Sequence, residues 1–340
     1  MVRSDSLTFH IISLGCSKNQ VDSEYLKGAM LSAGFNEAEA SDEADLLIVN
    51  TCGFITPAKE EGIDVILDAI EQKTNANSDS EFGSRVVVLG CLTERYHEEI
   101  KTEIPEIDLL YGVYDDKFVS FLCESFGVIP SAGYVRQRKP LIEGLAYSYI
   151  KIAEGCSNRC SYCAIPLIRG DHRSFVPEKI IQECSESLAN GARELVIVAQ
   201  DIAAYRSGNS GLPELLRQIA LLDPEAWIRL MYCHPDHITD SIIDAIAGIP
   251  SVVKYIDLPF QHVSRNILRS MNRAGNAESY AMLIDKLRKK IPEIRIRSTF
   301  MVGFPGETDE DFRELVDFIK KAEIDRVGCF TYSPEEGTPA

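Results

Sequence analysis

Tyr149-Ile150-Lys151-Ile152-Ala153-Glu154-Gly155-Cys156-Ser157-Asn158-Arg159-Cys160-Ser161-Tyr162-Cys163 reads as a strand that runs into a short polar loop. The loop carries three cysteines spaced C-x3-C-x2-C. A loop does not fix where each side chain points, so three thiolates here can converge on one metal centre. Zinc ribbons and ordinary ferredoxin clusters take four protein ligands. Three cysteines on a cubane [4Fe-4S] cluster leave one iron open to a small molecule. A structural zinc site completed by a fourth ligand, or a chance run of buried cysteines, is the alternative reading.

Downstream of this loop the chain alternates strand and helix. Strands are expected at 148–153, 195–199, 227–232, 252–258, 295–301 and 327–331. Helices are expected at 177–190, 213–222, 239–247, 264–271, 278–290 and 309–322. Pro177 and Thr239 mark helix starts, and Asp309 lies in a first turn. Six strand–helix units fall short of the eight of a full barrel. Active-site groups are expected at the carboxyl ends of such strands. By that rule Gln200, Asp201, His234, Asp257, Gln261, His262 and the turn from Gly303 to Gly306 are candidates. Each has a plainer reading as a group that only caps or braces its own loop. Cys184, Cys233 and Cys329 read as ordinary buried thiols, with Cys233 at a strand end. Arg169 and Arg173 follow the cysteine loop and are candidates for binding a carboxylate or stabilising cluster charge.

Upstream, residues 9–14 read as a buried strand, 45–50 as a second strand whose continuous apolar run is the kind parallel sheets bury, and 85–89 as a third strand. Helices are expected from about Ser23 to Ala33, from about Pro57 to Gln72, from about Thr93 to Lys101 and from Phe118 to Phe126, with a polar loop at 74–83. The alternation argues a doubly wound parallel sheet. Cys16, Cys52 and Cys91 each follow one of these strands by about two residues. All three therefore fall at the carboxyl edge of one sheet, where doubly wound folds bind ligands. Three unrelated buried thiols are the alternative. Cys123, among aromatic neighbours in a helical stretch, reads as core.

The fold class is therefore α/β, with residues 1–130 as a first domain, 131–145 as a linker and 146–340 as a partial barrel. Net charge is −17 over 340 residues. A protein that grips a phosphate backbone usually shows a basic face, so acidity weakens a nucleic-acid partner and suits a basic one. No apolar run reaches the ~18 residues of a membrane span, and the start has no long apolar signal-peptide core. The expected location is cytoplasmic, where the ten cysteines stay reduced.

Several motifs together resemble the radical S-adenosylmethionine methylthiotransferase family. They are the cysteine loop with Tyr162 before its last cysteine, Ser13-Leu14-Gly15-Cys16-Ser17-Lys18-Asn19, Asn50-Thr51-Cys52-Gly53, Gly90-Cys91-Leu92, Ile165 to Gly170, Val302 to Thr308 and Phe330 to Ser333. Cys16-Ser17-Lys18-Asn19, Gly53-Phe54-Ile55 and the Gln261-His262 pair look most like the branch that modifies a ribosomal protein (RimO-type). The branch that modifies adenosine in transfer RNA is the second reading, and an iron–sulfur redox protein without its own reaction is the third.

The resemblance implies a (βα)6 barrel whose [4Fe-4S] cluster, on Cys156, Cys160 and Cys163, binds S-adenosylmethionine and cleaves it to a 5′-deoxyadenosyl radical. It implies a second [4Fe-4S] cluster, on Cys16, Cys52 and Cys91, that delivers sulfur to the β-carbon of an aspartate in small-subunit ribosomal protein twelve. Tyr162, Arg173, Gln200 and Asp201 are the expected cofactor contacts, and no catalytic side chain beyond the cluster ligands is singled out. An external electron donor and a sulfur source are implied as partners. Family members usually continue into a small TRAM-like β-barrel, and no such segment is expected within these residues.

Overall fold

The computed structural model describes residues 2–75, 82–131 and 137–340. The polar loop expected at 74–83 and the linker expected at 131–145 lie partly outside the described residues. The chain divides into two compact units. One comprises Met1–Glu143 together with Leu167–Arg169; the other comprises Gly144–Pro166 and Gly170–Ala340.

The first unit contains β1 (Thr8–Ser13), α1 (Ser17–Ser32), β2 (Asn36–Glu37), β3 (Leu46–Thr51), α2 (Thr56–Asn75), β4 (Arg85–Gly90), α3 (Cys91–Arg95), α4 (His97–Glu103), β5 (Leu109–Leu110) and α5 (Phe118–Phe126). The strands form one parallel sheet in the order β2-β1-β3-β4-β5. Strand order reverses between β1 and β3, which is the topological switch point of a doubly wound fold. The continuous apolar run of β3 is explained by two-sided burial. Leu46 and Ile48 pack with Phe9, Leu26 and Leu122 on one face, while Leu47 and Val49 pack with Ile66 and Ile100 on the other.

Helix α1 starts six residues before the expected Ser23. Ser17-Lys18-Asn19-Gln20 has no apolar period, yet Lys18, Asn19, Asp22, Ser23 and Glu24 are all buried. A polar network, rather than an apolar stripe, holds this turn. The single helix expected near 93–101 is two, broken at Tyr96 (φ −129°, ψ 37°).

The second unit contains β6 (Tyr147–Lys151), α6 (Ile165–Arg169, whose last three residues fall in the first unit), α7 (Pro177–Ala189), β7 (Glu194–Val198), α8 (Leu212–Ala220), β8 (Trp227–Leu230), α9 (Asp240–Gly248), β9 (Tyr255–Asp257), α10 (Arg265–Ser270), α11 (Ala277–Lys290), β10 (Arg295–Val302), α12 (Asp309–Ala322) and β11 (Arg326–Thr331). Parallel sheets β8-β7-β6 and β9-β10-β11 are joined by the parallel bridge Ile228–Val252. The result is six strands in chain order around one core. Ile150, Ile197, Leu230, Ile256 and Phe300 supply that core from successive strands. Among the described residues strand β11 pairs on one side alone, with β10. Val327 and Phe330 on it are exposed. So is Cys329, which corrects the expectation of a buried thiol: an edge strand has no second neighbour to cover it.

Candidate metal and cofactor sites

In the first unit, Cys16 caps α1, Cys52 follows β3 and Cys91 opens α3 directly after β4. Cys16 and Cys52 thus flank the switch point between β1 and β3. Each cysteine has a glycine beside it, and the glycines explain how three loops come so close. A Cβ on Gly15 would stand 2.7 Å from the Cβ and 3.1 Å from the Sγ of Cys52. One on Gly53 would stand 2.7 Å from the Leu92 Cα and 2.9 Å from the Cys91 carbonyl carbon. Gly90, at φ +112°, leaves 2.5 Å to the Thr51 oxygen.

Behind the thiols lies a buried polar network. Asn19 Nδ2 donates to the Leu14 carbonyl at 2.7 Å and to those of Asn50 and Thr51 at 3.3 Å. Asn50 Nδ2 donates to Ser23 Oγ at 2.7 Å, and Ser23 Oγ donates to Ser13 Oγ at 2.8 Å. Arg169, 1% exposed in its side chain, donates to Asp22 Oδ2 at 2.8 Å, Asn19 Oδ1 at 3.2 Å and Cys91 Sγ at 3.3 Å. Arg169 therefore belongs to this set of thiols, not to the cysteine loop it follows in the chain.

The three thiols feel one another. Burial pushes Cys91 up to about 11; Arg169 opposes this, while Cys16 and Cys52 add to the rise. Burial likewise raises Cys52. Burial also opposes ionisation of Cys16, yet Lys18, the backbone N–H groups of Asn19 and Lys18, and Arg169 together outweigh it, and this thiol lies below its ordinary value. Cys16 keeps accessible surface although packed protein partly desolvates its sulfur. A thiol at a helix N-terminus is the expected place for such a depression.

In the second unit the loop from Cys156 to Cys163 is braced from three directions. Asn158 Nδ2 donates to Asp201 Oδ2 at 3.0 Å, at the end of β7. Arg159 donates to Asp171 at 2.9 Å. The turn after α10 supplies the third brace: Ser161 N–H donates to the Met271 carbonyl at 3.0 Å, Ser161 Oγ to the Ser270 carbonyl at 2.7 Å, and Asn272 Nδ2 to the Arg159 carbonyl at 2.8 Å. Burial pushes Cys163 up to about 12, and Cys160 and Cys156 contribute to the rise. The three thiols of this loop thus also share one neighbourhood.

Among the described residues no three His, Cys, Asp or Glu side chains are arranged to hold a single ion. A cubane spreads its thiolates over separate irons, so two soft, three-sulfur donor sets suit [4Fe-4S] clusters rather than mononuclear zinc.

The strand-end candidates separate into two groups. Gln200 Oε1 and Gln261 Oε1 are buried without a hydrogen-bond partner, and Gln261 adopts φ +71°. Two buried orphaned acceptors at strand ends fit a polar ligand that donates to them. The others are spent within the protein, except that His262 Nε2 is also buried without a hydrogen-bond partner. Asp201 accepts from Asn158, from His237 Nδ1 at 2.6 Å, and from the backbone N–H groups of Ala203 at 3.1 Å and His234 at 3.2 Å. Burial raises its carboxyl, but His237 and Asn158 outweigh this and hold it below the ordinary range. Asp257 accepts from Arg297 and the Tyr232 N–H. Glu307 accepts from the Gly303 and Phe304 N–H groups, so those turn amides already have an anion. His262 is buried, with Nδ1 accepting from the Ser264 N–H at 3.0 Å. Burial, with Arg273 nearby, pushes His234 down to about 3, so its 3.8 Å approach to Asp236 is not an ion pair. Arg173 is exposed on a short strand paired with Glu154. Tyr162 is buried beside Cys160 and Cys163. Cys233 and Cys184 are fully buried in the barrel core, and Cys123 is largely buried in that of the first unit.

Residues 150–319 match the Radical SAM superfamily, and residues 8–112 match Uncharacterized protein family UPF0004. The chain is 43% identical over 98% of its length to a protein of Carboxydothermus hydrogenoformans and to another of Thermodesulfovibrio yellowstonii, covering 77% and 76% of them. A protein of Clostridium kluyveri is 44% identical over 99% of the chain and 77% of its own length. All three bear the name ribosomal protein uS12 methylthiotransferase RimO. The fold is similar to that of the radical S-adenosylmethionine methyltransferase TsrM from Kitasatospora setae, with TM-score 0.70, 17% identity, and 98% and 77% of the two chains covered. It is also similar to the cobalamin-dependent radical enzyme OxsB, with TM-score 0.64, 11% identity, and 92% and 52% covered. The radical superfamily carries a [4Fe-4S] cluster and uses S-adenosylmethionine, for which the second unit has both thiols and orphaned acceptors. The chain belongs to the radical S-adenosylmethionine methylthiotransferases and is an enzyme of that family.

Proposed function

We propose that this protein adds a methylthio group to the β-carbon of an aspartate in ribosomal protein uS12, in the cytoplasm, with an external electron donor and sulfur source. The observation that carries the chemistry is the presence of two separate three-thiol sets, one in each unit. The substrate rests on relatives of 43% identity that are named for uS12. When bound, a [4Fe-4S] cluster on Cys156, Cys160 and Cys163 supplies reductive cleavage of S-adenosylmethionine, and a second on Cys16, Cys52 and Cys91 supplies the sulfur for transfer.

The chain's own residues prepare these sites. Gln200 and Gln261 offer acceptors to the polar groups of the cofactor. Tyr162 closes the space beside the thiols and stays protonated, since burial pushes its phenol well above 10.0. Asp201 is a brace: its carboxylate fixes Asn158 in the cysteine loop rather than meeting the cofactor. His234 stays neutral and adds no charge near the cluster.

A mass spectrum of the reaction tests the reading. A peptide spanning the target loop of uS12 goes in one anaerobic reaction and bulk transfer RNA in another. A methylthio gain on the peptide aspartate is expected, and a gain on transfer RNA alone overturns the substrate. Cys160→Ala is expected to abolish S-adenosylmethionine cleavage. Cys52→Ala is expected to leave cleavage while abolishing sulfur transfer; loss of both in a folded Cys52→Ala protein that keeps its other cluster contradicts the division of labour.

A further inference from the structure

We propose that Arg273 is a positioning residue that raises the reduction potential of the cluster held by Cys156, Cys160 and Cys163. The inference rests on the assignment of that cluster made above. Arg273 is 8% exposed. Its Nη1 lies 3.7 Å from Cys160 Sγ, and its Nη2 donates to the Pro259 carbonyl at 2.8 Å. Its Nε is buried without a partner.

Among the described residues no carboxylate stands within ion-pair distance of this guanidinium. Asp236, the carboxyl that feels the guanidinium, lies beyond ion-pair distance, and the phenol and imidazole beside it are uncharged. Burial pushes the Tyr280 phenol up to about 12, while His234 is held neutral. Asp236 feels the guanidinium, but burial is the larger influence and raises its carboxyl. A buried cation with no carboxylate in contact is costly, so such a residue persists where something anionic faces it. Three thiolates on a cubane are that anion, and each added electron makes the assembly more negative. A fixed positive charge at one sulfur therefore favours the reduced form, because cluster potential follows net charge and hydrogen bonds to sulfur.

Two features separate this arginine from a general packing element. The first is its fixed place. The turn that carries it is hydrogen-bonded to the cysteine loop through Ser161, Arg159 and Asn272. Those bonds fix the Arg273 backbone against the loop, and the Pro259 carbonyl holds the guanidinium. The second is the contrast with Arg169. That arginine also donates to a cysteine sulfur, yet a buried carboxylate, Asp22, already balances its charge. One thiol set thus faces an arginine paired with a carboxylate and the other an arginine with no carboxylate in contact.

The test is a potentiometric titration of anaerobically reconstituted full-length protein. It follows the electron-spin signal that changes on adding S-adenosylmethionine, in wild type, Arg273→Met, Arg273→Gln and Arg273→Lys. The neutral variants are expected to keep their iron and show at least a tenfold lower reduced-to-oxidised ratio at fixed potential, which is about 59 mV for one electron. Arg273→Lys is expected to recover most of that shift, because it restores charge without the planar fork. Equal midpoints in wild type and a neutral variant that retains the signal overturn the proposal. So does a Lys variant shifted as far as the neutral ones, and so does loss of the cluster in all three, which assigns Arg273 a purely structural role. Absence of any S-adenosylmethionine-responsive signal in wild type removes instead the cluster assignment beneath it.

Discussion

Gly15, Gly53 and Gly90 show how much of the first thiol set is decided by residues that ligate nothing. Each lets the loop of one cysteine approach the backbone or side chain of another loop within 3 Å of where a Cβ would stand. Gly53→Ala is the sharp case, because Gly53 has no positive φ to confuse the outcome and its Cβ would meet backbone atoms that cannot rotate away. Wild type with two cubanes is expected to hold about eight irons. Gly53→Ala is expected to fall to about half of that on reconstitution while keeping S-adenosylmethionine cleavage. A full complement of iron in this variant defeats the idea that the close approach is needed. The grouping of six cysteines into two sets was legible in the sequence, three from tight spacing and three from their common place after strands, and each set shares one neighbourhood. The glycines were visible beside them, but their role was not, because close approach is a property of two loops and sequence shows one at a time. Arg169 was misplaced for a related reason. It lies six residues after Cys163, and chain proximity suggested the wrong thiols.

The turn from Ser270 to Gly275 is the element that sequence reading passed over. The strand and helix count of the barrel could be read from apolar runs, since burial of Ile, Val and Leu on alternate positions leaves a period. The turn leaves none. It holds the cysteine loop mainly through carbonyls, which every residue has, and through one side chain, Asn272, at φ +55°. Asn tolerates that conformation, whereas a β-branched residue does not. Asn272→Gly should keep the backbone and lose one hydrogen bond, about 0.5–1.5 kcal/mol. Asn272→Val should lose the same bond and add about 1–3 kcal/mol of backbone strain. The expected order of iron loss to a chelator, followed by absorbance, is therefore Val fastest, Gly intermediate, wild type slowest. Equal rates for Gly and Val would show that the left-handed turn does not support the cluster loop. The start of α1 escaped prediction by the same logic: Asn19, Asp22 and Ser23 stabilise it through buried polar bonds that carry no apolar signature.

At the scale of the whole molecule the charge of −17 has a consequence for substrate choice. A ribosomal protein is basic, and attraction between opposite net charges speeds encounter more than it strengthens the final complex. Salt shortens the reach of that attraction from about 10 Å at 0.1 M to about 3 Å at 1 M. Cleavage of S-adenosylmethionine without the protein substrate is proposed to involve buried groups such as Gln200 and Arg273, which bulk salt screens little. Methylthiolation of uS12 should therefore show a KM that rises steeply between about 0.05 and 0.5 M salt, while substrate-free cleavage changes little over the same range. The control is neutral-pH choline chloride in place of sodium chloride, which separates ionic strength from a specific ion effect. A KM that stays flat would mean that the acidic surface plays no part in capture, and the charge would then bear on solubility alone. A KM that falls with salt would mean that repulsion, not attraction, governs the encounter, which fits a polyanionic substrate approaching an acidic enzyme and would return transfer RNA to first place.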